Sequence, residues 1–200
     1  MTSPSTTAIA RRALFAGLTL TPLVLVGCAS TGTDTGSASG NDLLRDLGFD
    51  GMNGREIIDE LEALPIDQRP ADVLAAVHPD ELALSDASGR EARIPLPDEE
   101  FYVSVAPFLE VTHDCHVHSL TTCTGELPDQ NFEVLVTDAS GEALLEHVIT
   151  TNPNGFFGMW LPRDRSLTLT CSQDDMSATT ALSTRGDEAA TCLTTLQLTA

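Results

Sequence analysis

The chain has 200 residues, 42% of them hydrophobic, and sets 30 acidic residues against 10 arginines with no lysine, a formal charge of −20. Such a polyanion repels nucleic acid and anionic lipid headgroups, which excludes both as electrostatic partners. Its carboxylates are scattered and nowhere take the Asp-x-Asp-x-Asp-Gly spacing of a calcium loop, so the charge reads as a solvated surface.

Arg11 and Arg12 precede an apolar run from Ala13 to Val26, the pattern of an export signal and too short for an ordinary membrane-spanning helix. The run closes in Leu25-Val26-Gly27-Cys28, which resembles a lipobox. This predicts a lipoprotein signal peptide over residues 1–27, with Cys28 acylated as the first residue of an exported chain held on the outer face of the cell membrane. Loss of two arginines with the signal leaves eight against 30 acidic residues, a net of −22. Residues 28–40 read as a flexible tether rich in Gly, Ser and Thr. No later apolar run is long enough to cross a bilayer.

From residue 41 the apolar spacing is helical: Leu43, Leu44 and Leu47 in one segment, Ile57, Ile58, Leu61 and Leu64 in the next, with Gly48 to Gly54 breaking them apart. Arg69-Pro70-Ala71-Asp72 predicts a third short helix through Val73, Leu74 and Val77, closed near His78-Pro79. The period then falls to about 2. Glu81 to Ser85 and Arg90 to Leu96 form a hairpin around Asp86-Ala87-Ser88-Gly89, and Phe101 to Ala106 is a further strand. From Asn131 onward the pattern is β throughout, in strands over 132–137, 144–150, 156–161, 167–171, 178–183 and 193–198. Turns such as Asn152-Pro153-Asn154-Gly155 separate them. The expected class is α+β: short N-terminal helices with strands over 41–130, then a transthyretin-like β-sandwich over 131–200.

Between these parts lies Val111-Thr-His-Asp-Cys-His-Val-His-Ser-Leu-Thr-Thr-Cys-Thr-Gly-Glu126, three imidazoles and two thiols between His113 and Cys123. If His113 to His118 is extended, His113 and Cys115 share one face, and His116 and His118 the other. Ser119 to Thr122 is long enough to form a loop or helical turn that returns the sulfur of Cys123 toward Cys115. Thiolates select Cu(I), zinc or iron–sulfur centres, and imidazole suits copper and zinc. The Cys-x-x-Cys pairs of structural zinc and the four thiolates of an iron–sulfur centre are missing. Two cysteines with seven residues between them, and distant Cys171 and Cys192, suit a low-coordinate site for Cu(I). Two other readings use the same residues: four non-lipidated cysteines of an exported chain pair as structural disulfides, or Cys115 or Cys123 beside a histidine acts as a nucleophile. His78 and His147 lie outside the cluster and read as surface residues.

The runs Phe101 to Phe108, Thr112-His113-Asp114-Cys115 and His118 to Leu127 resemble the CueP family of bacterial exported copper-binding proteins. So do Asn154-Gly155-Phe156, Trp160 to Asp164, and Thr191-Cys192-Leu193-Thr194-Thr195-Leu196-Gln197. The resemblance implies a role in copper resistance in the cell envelope, with a metal site whose cysteines match Cys115, Cys123 and Cys192. Cys171 falls outside that pattern. His113, His116 and His118 are the expected neighbours that receive Cu(II) or complete the coordination of Cu(I). The expected partners are copper ions, the membrane through Cys28, a copper-acceptor protein and a second copy of the chain. Thiol-driven reduction of Cu(II) and an inert lipoprotein stapled by disulfides are the alternative functions.

Overall fold

The computed structural model describes residues 35–200. The signal segment, Cys28 and the tether up to residue 34 lie outside the described residues. Helix α1 (Thr35–Asp46) begins inside the segment expected to be a tether. Helix α2 (Gly54–Ala63) starts at a capping box, in which Asn53 accepts from the Glu56 amide at 3.0 Å and Glu56 accepts from the Asn53 amide at 2.8 Å. Its buried stripe is Ile57, Ile58, Leu61 and Glu62, so one carboxylate stands in an otherwise apolar row. No helix among the described residues is long and apolar enough to cross a membrane.

The third predicted helix is a strand. β1 (Val73–Val77) buries Val73, Ala75 and Val77 and exposes Leu74, a period of 2 that five residues cannot distinguish from one helical turn by composition alone. What decides it is pairing: β1 is sandwiched in register between β2 (Glu81–Asp86) and β5 (His118–Ser119), antiparallel to both. With β3 (Glu91–Pro95) these form a four-stranded sheet of order β3-β2-β1-β5. The hairpin of β2 and β3 matches the sequence expectation. Leu43, Ile57, Ile58 and Leu61 of the helices pack on this sheet in one core with Val77, Leu82, Leu84 and Leu120.

The C-terminal β-sandwich is not formed. Strands β6 (Asn131–Asp138), β7 (Ala143–Thr150), β9 (Ser166–Gln173) and β10 (Met176–Ser183) make one open antiparallel sheet of order β10-β9-β6-β7. β8 (Phe157–Pro162) leaves that run and joins β4 (Glu100–Val105), with β11 (Cys192–Leu193) on the other side of β4. The reason lies in the register: Leu161, Met159 and Phe157 stand opposite Phe101, Val103 and Val105, so two fully apolar rows coincide. The fold is α+β with mixed, mainly antiparallel open sheets, none closed or curled. The predicted strand over 193–198 shrinks to β11 and single bridges at Gln197 and Thr199.

Strand β4 is buried on both faces. Phe101, Val103 and Val105 face the core beneath the β6 sheet, whereas Tyr102 faces the helical core. A third, smaller cluster of Ala106, Cys123, Phe156 and Cys192, with Cys115 against it, sits at the junction. Gly155 (φ +79°) holds that junction: a Cβ there would meet backbone atoms of Gly125 at 2.6 Å, and the Gly125 amide donates to Asn154 O at 2.6 Å. Gly155→Ala combines a left-handed backbone with backbone overlap and is expected to destabilise by about 2–4 kcal/mol. Gly89→Ala, at a positive φ in open space, carries only the first cost, about 1–2 kcal/mol. Urea unfolding of the two variants checks the contrast.

Candidate metal centre

Because β1 is a strand, it can pair with His118 and Ser119 and bury them in the interior. Thr191 fixes the same segment from the other side. Its hydroxyl accepts from the His118 amide at 3.0 Å and donates to Val77 O at 2.6 Å. The amides of Thr191 and Cys192 both donate to His116 O, at 2.9 and 3.2 Å. Parallel pairing of β11 with β4 sets Cys192 opposite Ser104. Cys123 returns on a tight turn, as its amide donates to Ser119 O at 3.0 Å and its sulfur accepts from the Ser119 amide at 3.4 Å.

These supports bring three sulfurs together. Cys115 and Cys192 form a disulfide with Cα atoms 5.6 Å apart, and Cys123 Sγ lies 3.6 Å from Cys115 Sγ as a free thiol. Two donor groups overlap at Cys123: His113, Cys115 and Cys123, and His118, Cys123 and Cys192, each with its donor atoms within 4.8 Å of one another. The first opens on a cleft of about 660 Å³ lined by Thr112, His113, Cys115, Thr122 and Cys123. The second is buried. His116 joins neither group, since it is exposed with Nε2 3.2 Å from Glu188 O. Cys171 belongs to the core beneath the β6 sheet, where burial pushes its thiol up to about 12. His78 directly follows β1 and His147 lies in β7, both outside the two groups.

The residue that sequence reasoning missed is Glu62. Its carboxylate accepts from His118 Nε2 at 2.8 Å, Asn154 Nδ2 at 3.0 Å, Tyr102 OH at 3.2 Å and Ser104 Oγ at 3.3 Å. The available signal was an acidic residue four positions after Ile58, on the core-facing stripe of α2. Buried Arg69 clamps the neighbourhood, donating to Leu64 O at 2.9 Å, Glu62 O at 2.8 Å and Leu120 O.

Burial acts against charge on Glu62, but His118, Asn154 and Arg69 outweigh it and hold the carboxyl below its usual range. Burial likewise opposes protonation of His118, yet Glu62 and the Cys123 sulfur raise the imidazole to about 9. Burial also disfavours the Cys123 thiolate, and His118 beside it reverses the balance, bringing that thiol below its ordinary value. With Nε2 engaged by Glu62, Nδ1 of His118 is the one buried side-chain nitrogen or oxygen without a hydrogen-bond partner among the described residues. Phe156 covers the ring at 4.9 Å between centroids. Once an arriving metal displaces its proton, this imidazole nitrogen beside thiol sulfurs completes a donor set for a soft or borderline cation.

No curated protein matches the chain. Among solved structures it is similar to one titled "Crystal Structure of S.CueP", at 36% identity and a TM-score of 0.74, covering 80% of this chain and 96% of that one. The family described as "Periplasmic copper-binding protein CueP" matches residues 56–197, a span that contains all three clustered cysteines, His118 and Glu62. On that match, well over half of its length, the chain belongs to the CueP family.

Proposed function

We propose that this chain is a copper-binding protein of the cell envelope, exported and lipid-anchored at Cys28, that holds Cu(I) on Cys115, Cys123 and Cys192 with His118 as the imidazole donor. One observation carries the reading: three sulfurs from distant parts of the sequence converge around a buried imidazole whose second nitrogen has no hydrogen-bond partner. Opening the Cys115–Cys192 disulfide yields three thiols at one point, and a soft monovalent ion is satisfied by two or three thiolates. His113 at the exposed rim offers a harder nitrogen donor suited to arriving Cu(II). Sequestration or delivery of the ion then accounts for a role in copper resistance.

A second reading, thiol-driven reduction of Cu(II), is favoured by the disulfide itself. Two thiolates, Cys115 and Cys192, would give one electron each to two Cu(II) ions, forming one S–S bond and two Cu(I) ions. Turnover requires an external dithiol reductant, oxidised as the disulfide reopens. The stapled-lipoprotein reading fits less well, because Cys123 and Cys171 are both free and sit in separate cores.

Serine replacement of Cys115, Cys123 or Cys192 in the reduced chain is expected to weaken Cu(I) binding by roughly a hundredfold or more, about 2.7 kcal/mol. Cys171→Ser leaves it unchanged, and competition against a Cu(I) chelator measures both. In the disulfide form, iodoacetamide should label Cys123 with a midpoint pH below that of an ordinary thiol. A depressed pKa leaves the reactive thiolate present at lower pH, so His118→Ala moves the midpoint upward. Peptide mapping by mass reads this out, and Cys171 stays unlabelled at neutral pH. For reduction, adding Cu(II) to the reduced chain should release two Cu(I) per disulfide formed, scored with a Cu(I)-specific chromophore; Cys192→Ser abolishes that stoichiometry.

A further inference from the structure

A carboxylate in a core is costly unless donors surround it, and an apolar side chain of similar volume often serves packing equally well. Glu62 occupies such a position, continuing the stripe of Ile57, Ile58 and Leu61. What a carboxylate supplies there, and a leucine would not, is an acceptor for a ring N–H. Its four side-chain contacts come from three separate stretches of chain, Tyr102 and Ser104, His118, and Asn154. Asn154 is itself held, with Oδ1 accepting from the Phe156 amide at 3.0 Å, and Phe156 then covers the His118 ring. Arg69 ties the backbone of Glu62 to Leu120, next to the turn that carries Cys123.

We infer that Glu62 is the positioning residue of the metal centre: by accepting the Nε2 proton of His118 it leaves Nδ1 as the ring nitrogen directed at the sulfurs of Cys123 and Cys192. The inference rests on the thiolate copper reading above and adds how the imidazole donor is oriented. The ring has no freedom to exchange its two nitrogens. Rotation about Cβ–Cγ would leave Glu62 facing carbon, in a pocket closed by Phe156 on the ring face and by the Thr191 bond on the backbone. A carboxylate on the far nitrogen also makes the near one a stronger donor. The hydrogen-bond pattern carries both effects: Nε2 is 2.8 Å from Glu62 Oε2, and buried Nδ1 has no hydrogen-bond partner.

The test compares the reduced full chain with E62Q, H118A and the E62Q/H118A double variant in Cu(I) competition titrations. E62Q should weaken Cu(I) binding by about 10–100-fold. In the H118A background the same change should cost nothing further, because its only route to the metal has been removed. Nitrogen-15 NMR of the Cu(I)-loaded wild-type chain, labelled at histidine, should find Nδ1 of His118 on the metal and the proton on Nε2. An E62Q chain that binds within about twofold of wild type overturns the inference. So does an equal loss with and without His118, which marks a purely structural effect, or copper on Nε2. The wild-type spectrum decides the matter even if E62Q fails to fold. Failure of the wild-type chain to take up Cu(I) removes the copper reading and this inference with it, whereas wild-type uptake with an unaffected E62Q chain removes only the assignment to Glu62.

Discussion

A charge taken out of water must be met by donors, and the buried carboxylate of Glu62 collects them from several layers of the molecule. His118 reaches it from β5, Tyr102 and Ser104 from β4, and Asn154 from the turn before β8. Leaving such a group unpaired costs on the order of 3–5 kcal/mol. The helical layer, the sheet carrying β5 and the sheet carrying β4 therefore share one geometric requirement. That requirement is met at the point where the cysteine turn closes, so the architecture and the donor site are one problem with one solution.

The donor site is graded in depth. His113 and Cys115 face an open cleft, Cys123 is nearly covered, and Cys192 and His118 are interior. Cys123 belongs to both donor groups, which makes it the common atom between a shallow and a deep environment. Its chemistry suits that place: the adjacent imidazole favours the thiolate, the form that binds metal and exchanges with disulfides. Cys171 shows the opposite setting, a thiol in a purely apolar core with its proton held tightly. The same side chain is thus an available donor in one core and inert packing in the other.

Much of this was legible in the sequence where the signal was local. The hairpin of β2 and β3 follows from alternation around Asp86-Ala87-Ser88-Gly89, and the donor cluster is dense enough to be seen without a fold. Non-local pairing was not legible. Five residues, Val73–Val77, carry apolar side chains that fit a helical turn or a strand, and only their partners β2 and β5 choose. The sandwich expectation failed for the same reason, since β8 follows the apolar row of β4 rather than its neighbours in sequence. Glu62 was hidden because acidic residues on helices are ordinary, and what makes this one unusual is that it points inward. The approach of Cys192 to Cys115 came only by family resemblance, as no spacing rule links residues 77 apart.

That separation has a bearing on the life of the protein in the envelope. A bond between Cys115 and Cys192 closes a loop of 77 residues, and by chain entropy such a closure disfavours the unfolded ensemble by about 4–5 kcal/mol. A metal ion bridging the same two sulfurs would constrain the chain in much the same way, adding its own binding free energy. Either the oxidised or the loaded molecule is therefore cross-linked, and the reduced, empty one is not. The chain that is both reduced and empty is the one that opens most often, and envelope proteases that cleave opened chains would clear it first.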